Sequence, residues 1–380
     1  MKTAVIGADS EYAREVIPSE HHPILRTIKY SGNKTRLLPV IVSIVKQVVK
    51  PGGKILDLMA GTHCVGYALK SLYEISANDI QEYSYVIGKA YIENGGYSVN
   101  RGLAESELTS GIVENNRTAR FDLFQKTYAN TYFTNSQCVE IDNVKAAIDK
   151  VPSPRRELYL SALMSAMCYA SNSAGHFAEF LNKRQTNPRS IQELFFRKCE
   201  NASVLPSCHN NKVFNADYMD FLNDRDPKLT SIVEDCDLIY LDPPYSSAQY
   251  SRFYHILETL VKYDFPVVEH KGLYRNDRYF SPFCRKSEAM VELDFALEKC
   301  SEVSNGFVLL SYVDSSSCLI DRDDFESIVR SHFSYVTRPF TFELNHSKLG
   351  NGICKKVTEY LILATNSVSN ASIVKKLRIS

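Results

Sequence analysis

The stretch from Lys54 to Asp79 limits the fold more than any other part of the chain. Lys54 to Ala60 (Lys-Ile-Leu-Asp-Leu-Met-Ala) is an apolar run carrying one carboxylate, and it ends in a turn at Gly61. Val65 to Tyr73 has the spacing of a helix, and Ile75 to Asp79 is a second short apolar run. Strand, turn, helix and strand in that order predict a parallel α/β sheet, because parallel neighbours need a crossover between them. Further apolar runs predict strands at Asp237–Asp242, Phe307–Val313, Val336–Leu344 and Tyr360–Thr365. A polar, glycine-containing stretch from Asn345 to Lys356 separates the last two, which predicts a hairpin at the sheet edge.

Between Ile80 and about Leu205 the pattern changes. Helical spacing recurs at Ser84–Glu93, Val144–Ala147 and Glu157–Ala170, with no alternating strand between. Two descriptions fit: a helical region inserted for recognition, or additional core helices. The division expected is an N-terminal arm (1–22), a catalytic domain (23–80 with 205–367), a helical insertion (81–204) and a C-terminal tail (368–380).

Composition excludes more than it selects. The 380 residues suffice for a substantial core, and no run approaches the roughly eighteen apolar residues of a membrane span. The N-terminus has no signal-peptide core, and the ten cysteines include no Cys-x-x-Cys pair. That usage argues against a zinc framework or disulfide scaffold and for a reducing, cytoplasmic setting. No metal is expected.

Formal net charge is zero, but the positive residues are clustered. Ile24–Lys54 holds seven Lys or Arg and no acid. A second cluster is Lys183, Arg184, Arg189, Arg197 and Lys198. A third, Lys271, Arg275, Arg278, Arg285 and Lys286, is interleaved with Tyr274, Tyr279, Phe280 and Phe283. Any one of them serves equally as a solvated face, but three together suit a polyanion.

Chemistry concentrates at Leu241-Asp242-Pro243-Pro244-Tyr245, at the mouth of a predicted strand. Proline fixes φ and lacks an N–H, so the loop is a stiff frame of acceptors. Asp242 and a main-chain carbonyl at Pro243 can each accept from an exocyclic amine, and Tyr245 offers a stacking face. Asp57 and Gly61 lie where a nucleotide-type cofactor sits, at the end of the first strand. Asp79, twenty-two residues beyond Asp57, can accept from a ribose diol.

Asp242-Pro243-Pro244-Tyr245 resembles motif IV of the amino-methylating DNA methyltransferases acting on N6 of adenine. Asp57 to Gly66, including Ala60 and Gly61, resembles motif I of S-adenosylmethionine-dependent methyltransferases, and Ala77-Asn78-Asp79-Ile80 their motif II. Lys29 to Leu38 is similar to motif X of the Dam-like D12 class, which implies that Tyr30 and Lys34 border the cofactor. Phe214 to Tyr218 is similar to the segment meeting the cofactor's adenine, with Asp217 either its acceptor or a helix N-cap.

The resemblance implies a Rossmann-like fold with a mixed seven-stranded sheet and an inserted, mainly helical target-recognition domain. It also implies S-adenosylmethionine as cofactor and methylation of an adenine flipped out of double-stranded DNA. The setting implied is a nucleoid-associated restriction-modification system with a cognate endonuclease. The family carries a glycine where this chain has His63, a side chain expected to narrow the room for the cofactor's methionine end. RNA adenine methylation is the nearer enzymatic alternative, and a non-catalytic DNA-binding scaffold the one from another class.

Contacts to DNA are expected from Lys183, Arg184, Arg189, Tyr250, Arg252, Arg275, Arg278 and Arg285. The run Gln249–His255 reads both as a holder of the flipped strand and as the start of a core helix. Asn172, Gly175 and His176 interrupt an apolar helix, as recognition residues or as a satisfied helix break.

Overall fold

The computed structural model describes residues 23–182, 188–200, 202–345 and 356–378. The core is built on β1 (Lys54–Asp57), β2 (Glu74–Asn78), β3 (Lys212–Phe214), β4 (Leu238–Leu241) and β7 (Phe307–Asp314), all mutually parallel. A small antiparallel ladder of β5 (Val268–Glu269) with β6 (Tyr274–Arg275) stands apart. At one edge β10 (Lys356–Thr365) runs antiparallel to β7, and β8 (Tyr335–Val336) and β9 (Phe340–Asn345) pair with β10. Strand order is 3-2-1-4-7-10-8, so the order reverses at β1 and β4.

The sheet has eight strands rather than the expected seven. The extra one comes from a break in the predicted Val336–Leu344 run. Pro339 has no N–H for the ladder, and Thr337 bridges the gap with its own groups. The Thr337 amide donates to Leu363 O (2.9 Å), and the Leu363 amide donates to the Thr337 hydroxyl (3.1 Å). The hairpin expected between the last two runs is the β9–β10 pairing, though residues 346–355 lie outside the described chain.

Alternation along the strands sorts the core to two faces. Leu56, Ile239, Leu241, Val308, Leu310, Tyr360 and Ile362 face helices Tyr218–Leu222, Pro227–Asp235, Ala289–Val303 and Arg322–His332. Ile55, Ile75, Leu238, Leu309, Leu361 and Leu363 face the other way, toward helices Leu38–Val48 and Cys64–Leu69. The same apolar cluster runs on through helices Glu82–Gly88, Arg101–Thr118, Asn135–Ile148, Arg155–Ala170 and Ile191–Cys199. The helical block therefore shares one core with this face of the sheet.

The predicted helix at Val65–Tyr73 spans Cys64–Leu69 and is wholly buried. Lys70 follows it, and its buried ammonium donates to Tyr91 O and Asn94 O (both 2.7 Å). Burial, with no carboxylate partner among the described residues, pulls the lysine down to about 8. Asn172 donates to Leu181 O (2.9 Å), so the interruption after the Arg155–Ala170 helix is a satisfied break.

Gly88 sits where helix Glu82–Gly88 presses on β3 and on the β1 loop. An added Cβ there would lie 2.6 Å from Val213 Cγ1 and 2.7 Å from His63 Cε1. Gly88→Ala is expected to destabilise by about 1–3 kcal/mol through overpacking, read as a lower denaturation midpoint at unchanged m-value.

Candidate active site

Three segments distant in sequence meet at the carboxyl ends of β1 and β4, where an open parallel sheet forms its ligand crevice. The first is the turn before helix Leu38–Val48. Asn33 caps a short 3-10 helix (Lys34–Arg36) by accepting from the Thr35 amide, and its amide group donates to Thr62 of the β1 loop (3.3 Å). The second is the β1 loop itself, and the third is the Pro-Pro loop after β4. Together they line a cleft of about 1080 Å³, including its open mouth.

Tyr30, Lys34, Asp57, Ala60, Gly61, Asp79, Asp217, Asp242, Pro243 and Tyr245, all expected from sequence, line this one cleft. Tyr250 lines it as well. Its ring stacks on Tyr30 (centroids 5.3 Å apart), which stacks in turn on Tyr254 (4.8 Å). Gln249–His255 thus divides: Tyr250 serves the cleft, while Tyr254 and His255 are core residues.

Asp79 is held by its neighbours. Its carboxylate accepts from the amides of Gly61 and Gln81, both at 2.9 Å. Gly61 has φ +55°, and a Cβ there would crowd the Tyr30 ring at 3.2–3.4 Å. Burial moves Asp79 up to about 6 despite those two amides, and each oxygen keeps a second lone pair for a hydroxyl. Asn78 ties the loops behind it, donating to Leu58 O and Ala216 O and accepting from the Ala216 amide. Asp217 is the N-cap of helix Tyr218–Leu222, accepting from the Met219 amide at 3.0 Å, and also borders the cleft.

Asp57 is 2% exposed, and its Oδ1 has no hydrogen-bond partner among the described residues. Burial first, then the charges of Asp242 and Asp79, push it up to about 8. A buried carboxyl group, mostly protonated at neutral pH and with an open oxygen on a cleft, fits a hydrogen-bonding ligand, and a cationic one would draw it toward its charged form.

Asp242 is held by an ion pair rather than by amides. The Lys34 ammonium lies 3.0 Å from Asp242 Oδ1 and 3.4 Å from Glu359 Oε2. Burial raises Asp242 to about 6 against the pull of Lys34. Burial opposes the Lys34 charge, but the two carboxylates outweigh it and raise the lysine above its ordinary value. The loop is braced from outside: the Leu319 amide donates to Tyr245 O (2.9 Å), Ser246 bridges Cys318, and Tyr245 meets Tyr312 edge-on. Sequence reading missed Glu359, although a lone acid in the apolar run Val357–Leu361 signals a buried partner.

His63 does not narrow the cleft. It occupies the left-handed region (φ 59°), and its ring turns away to Ser84, with Nε2 2.9 Å from the backbone oxygen. It is fully buried beside Gly88, and burial lowers it to about 4, so it is neutral at pH 7. The positive φ explains why glycine suits this position; histidine bears a backbone cost of about 1–2 kcal/mol there.

The expected nucleic-acid contacts separate sharply. Lys183 and Arg184 lie outside the described residues. Arg275 is 1% exposed, and all its donors are occupied by Asp264, Asp277 and Thr259, so it is a structural residue rather than a phosphate contact. Arg285 pairs with Glu288 at the surface (3.0 Å). Arg189 is exposed, though its carbonyl accepts from Gln137. Arg252 and Arg278 lie over aromatic rings, Phe253 and Phe280 respectively, and neither forms an ion pair with a described residue. Burial and then the neighbouring Arg252 lower Arg278 from its ordinary value.

Among the described residues no group of three His, Cys, Asp or Glu could hold a metal, and no helix is long and apolar enough to cross a membrane.

A mixed sheet with its cleft at the β1–β4 reversal and an Asp-Pro-Pro-Tyr loop at its lip defines a Rossmann-like methyltransferase class. Residues 30–321 match the D12 class N6 adenine-specific DNA methyltransferases, and the chain belongs to that family. It is 26% identical over 315 residues to the modification methylase LlaI of Lactococcus lactis subsp. lactis, covering 77% of this chain and 47% of the relative. It is 28% identical over 325 residues to the type II methyltransferase M.FokI of Planomicrobium okeanokoites, covering 80% and 47%. To M.CviAII of Paramecium bursaria Chlorella virus 1 it is 23% identical over 350 residues, covering 89% and 98%. The chain spans about half the length of the first two.

Arg275→Lys is expected to lower folding stability by about 2 kcal/mol, because an ammonium cannot fill a two-carboxylate fork. In salt titrations of DNA binding it should leave the slope of log K against log[salt] unchanged.

Proposed function

We propose that the chain methylates N6 of an adenine swung out of duplex DNA, as the modification half of a restriction-modification system. The observation that carries the reading is Asp242, held by Lys34 at the lip of a cleft whose floor bears Asp57 and Asp79. Family membership and relatives named as modification methylases support it. His63, the feature favouring a non-catalytic scaffold, turns its ring out of the cleft.

The cleft fits S-adenosylmethionine: Asp79 offers acceptors for a ribose diol, Asp57 an open acceptor for a cationic end, and Tyr30 and Asp217 border it. When bound, that cofactor supplies a methyl group activated by a sulfonium. The remaining work belongs to the protein. Lys34 occupies Asp242 Oδ1 and leaves Oδ2 to accept from the adenine amine, with the Pro243 carbonyl as second acceptor. Two such bonds favour a pyramidal nitrogen with its lone pair directed outward. Tyr245 stacks the base, offsetting unstacking by on the order of 1–3 kcal/mol. Asp242 or water takes the amine proton after transfer, so catalysis is mainly positioning.

The residues 81–204, Arg189 among them, together with Arg252 and Arg278, form the proposed DNA-facing part. The proposed companions are an endonuclease acting at the same sequence and, in the cell, the nucleoid.

The test is methyl transfer from a labelled donor to duplex DNA and to ribosomal RNA, with sequencing of modified adenine from expressing cells. Label in N6-methyladenine of DNA is the expected result; label confined to RNA, or absent while the donor binds, overturns the reading. Asp242→Asn should cut kcat at least about hundredfold while keeping fold and donor affinity. Asp242 protonates below about 6 and then loses its acceptor, so kcat should fall as pH drops through that value. Arg252→Ala and Arg278→Ala should each weaken DNA binding and reduce the salt slope by about one.

A further inference from the structure

Glu359 lies outside the residues matched to the family, on the antiparallel strand β10. Because β10 runs against β7, its beginning lies beside the end of β7, at the edge of the sheet where β4 also ends and the cleft opens. Glu359 is opposite Val313 near the end of β7 and Phe342 of β9, and it is 6% exposed. Its side chain reaches the ammonium that Asp242 also holds. One buried cation thus faces two carboxylates, and only one of them borders the cleft.

A simple Lys–Asp pair would leave Asp242 largely neutralised and a poor acceptor for a weakly acidic amine. A second anion on the same ammonium changes that balance. It draws part of the lysine's charge away and adds its own repulsion, so Asp242 keeps more affinity for a proton. We propose that Glu359 is a positioning residue for methyl transfer, dividing the Lys34 charge so that Asp242 remains a competent hydrogen-bond and proton acceptor. This rests on the proposed function, and it adds a residue to the machinery that touches neither base nor cofactor.

The other titratable groups around the triad are Tyr245 of the same loop, Asp57 on β1, Cys64 beside it, Tyr240 on β4 and Tyr250. Burial keeps the phenols and the thiol protonated at neutral pH and raises Asp57 to about 8, so Asp57 is mostly protonated through the range in which Asp242 titrates. Its influence is common to wild type and variants, so the comparison below cancels it.

The experiment compares wild type, Glu359→Gln and Glu359→Asp by carbon-detected NMR of isotope-labelled aspartate carboxyls, with Asp242 assigned from Asp242→Asn. Turnover is measured on the same proteins across pH. Glu359→Gln is expected to lower the Asp242 midpoint on the order of one unit and move the acid limb of kcat the same way. Its plateau kcat should fall roughly three- to tenfold, with donor affinity by calorimetry unchanged. Glu359→Asp, which keeps the charge but shortens the reach, should fall between.

An Asp242 midpoint that does not move in Glu359→Gln overturns the proposal, even if the melting temperature drops, because a merely structural acid would give that pattern. If Glu359→Gln does not fold, an unmoved midpoint in Glu359→Asp overturns it equally. Should wild type methylate nothing, the functional reading fails, while the carboxyl titration still decides the electrostatic role of Glu359.

Discussion

A single ammonium organises the site. Lys34 stands between Asp242 and Glu359 and so draws together a turn before the first strand, the loop after β4 and the start of β10. Burying a lysine in its charged form costs lost hydration, and here two anions compensate it, which keeps the Lys34 charge that Lys70, held by carbonyls alone, is driven to give up. The same compensation holds Asp242 at the cleft lip. Pro243 and Pro244 restrict the loop's backbone, and the hydrogen bond from Leu319 braces it from outside. Electrostatics sets the position of the acid, while stiff covalent geometry sets the direction in which it points.

The rest of the cleft follows a different rule, in which backbone amides do the holding. Gly61 and Gln81 fix the Asp79 carboxylate, and Asn78 stitches β2 to the loops after β1 and β3. These contacts are local to the crevice where the sheet order reverses, so they depend on the strands being parallel and in register there. Asp57 differs again. It is buried with an open acceptor, which makes it the part of the floor most sensitive to what occupies the cleft.

Much of this was legible in the sequence, because strand, turn and helix signals are local. The β1-to-β2 unit, the Pro-Pro loop and the Lys29–Leu38 turn carry their chemistry in short runs, and the residues expected from them to border cofactor or base lie in the cleft. What escaped depends on packing and side-chain direction that short runs do not encode. Arg275 reads as one basic residue among aromatics, and nothing nearby announces that Asp264 and Asp277 bury it. His63 reads as an obstruction until its positive φ shows where the ring goes. The edge strand reads as one run, and Pro339 breaks it in two. Glu359 was missed because its meaning lies 325 residues upstream, in Lys34.

That long-distance closure affects how the protein is made. As the chain leaves the ribosome, Lys34 and Asp242 emerge well before β10, so a nascent polypeptide holds both without their third member. β10 also separates β7 from β8 and β9, and without it those edge segments have no strand to join. A product cut short ahead of this strand would lack both a sheet member and the second anion. Completion of the crevice is thereby tied to synthesis of β10, a checkpoint written into topology rather than into any separate regulatory element.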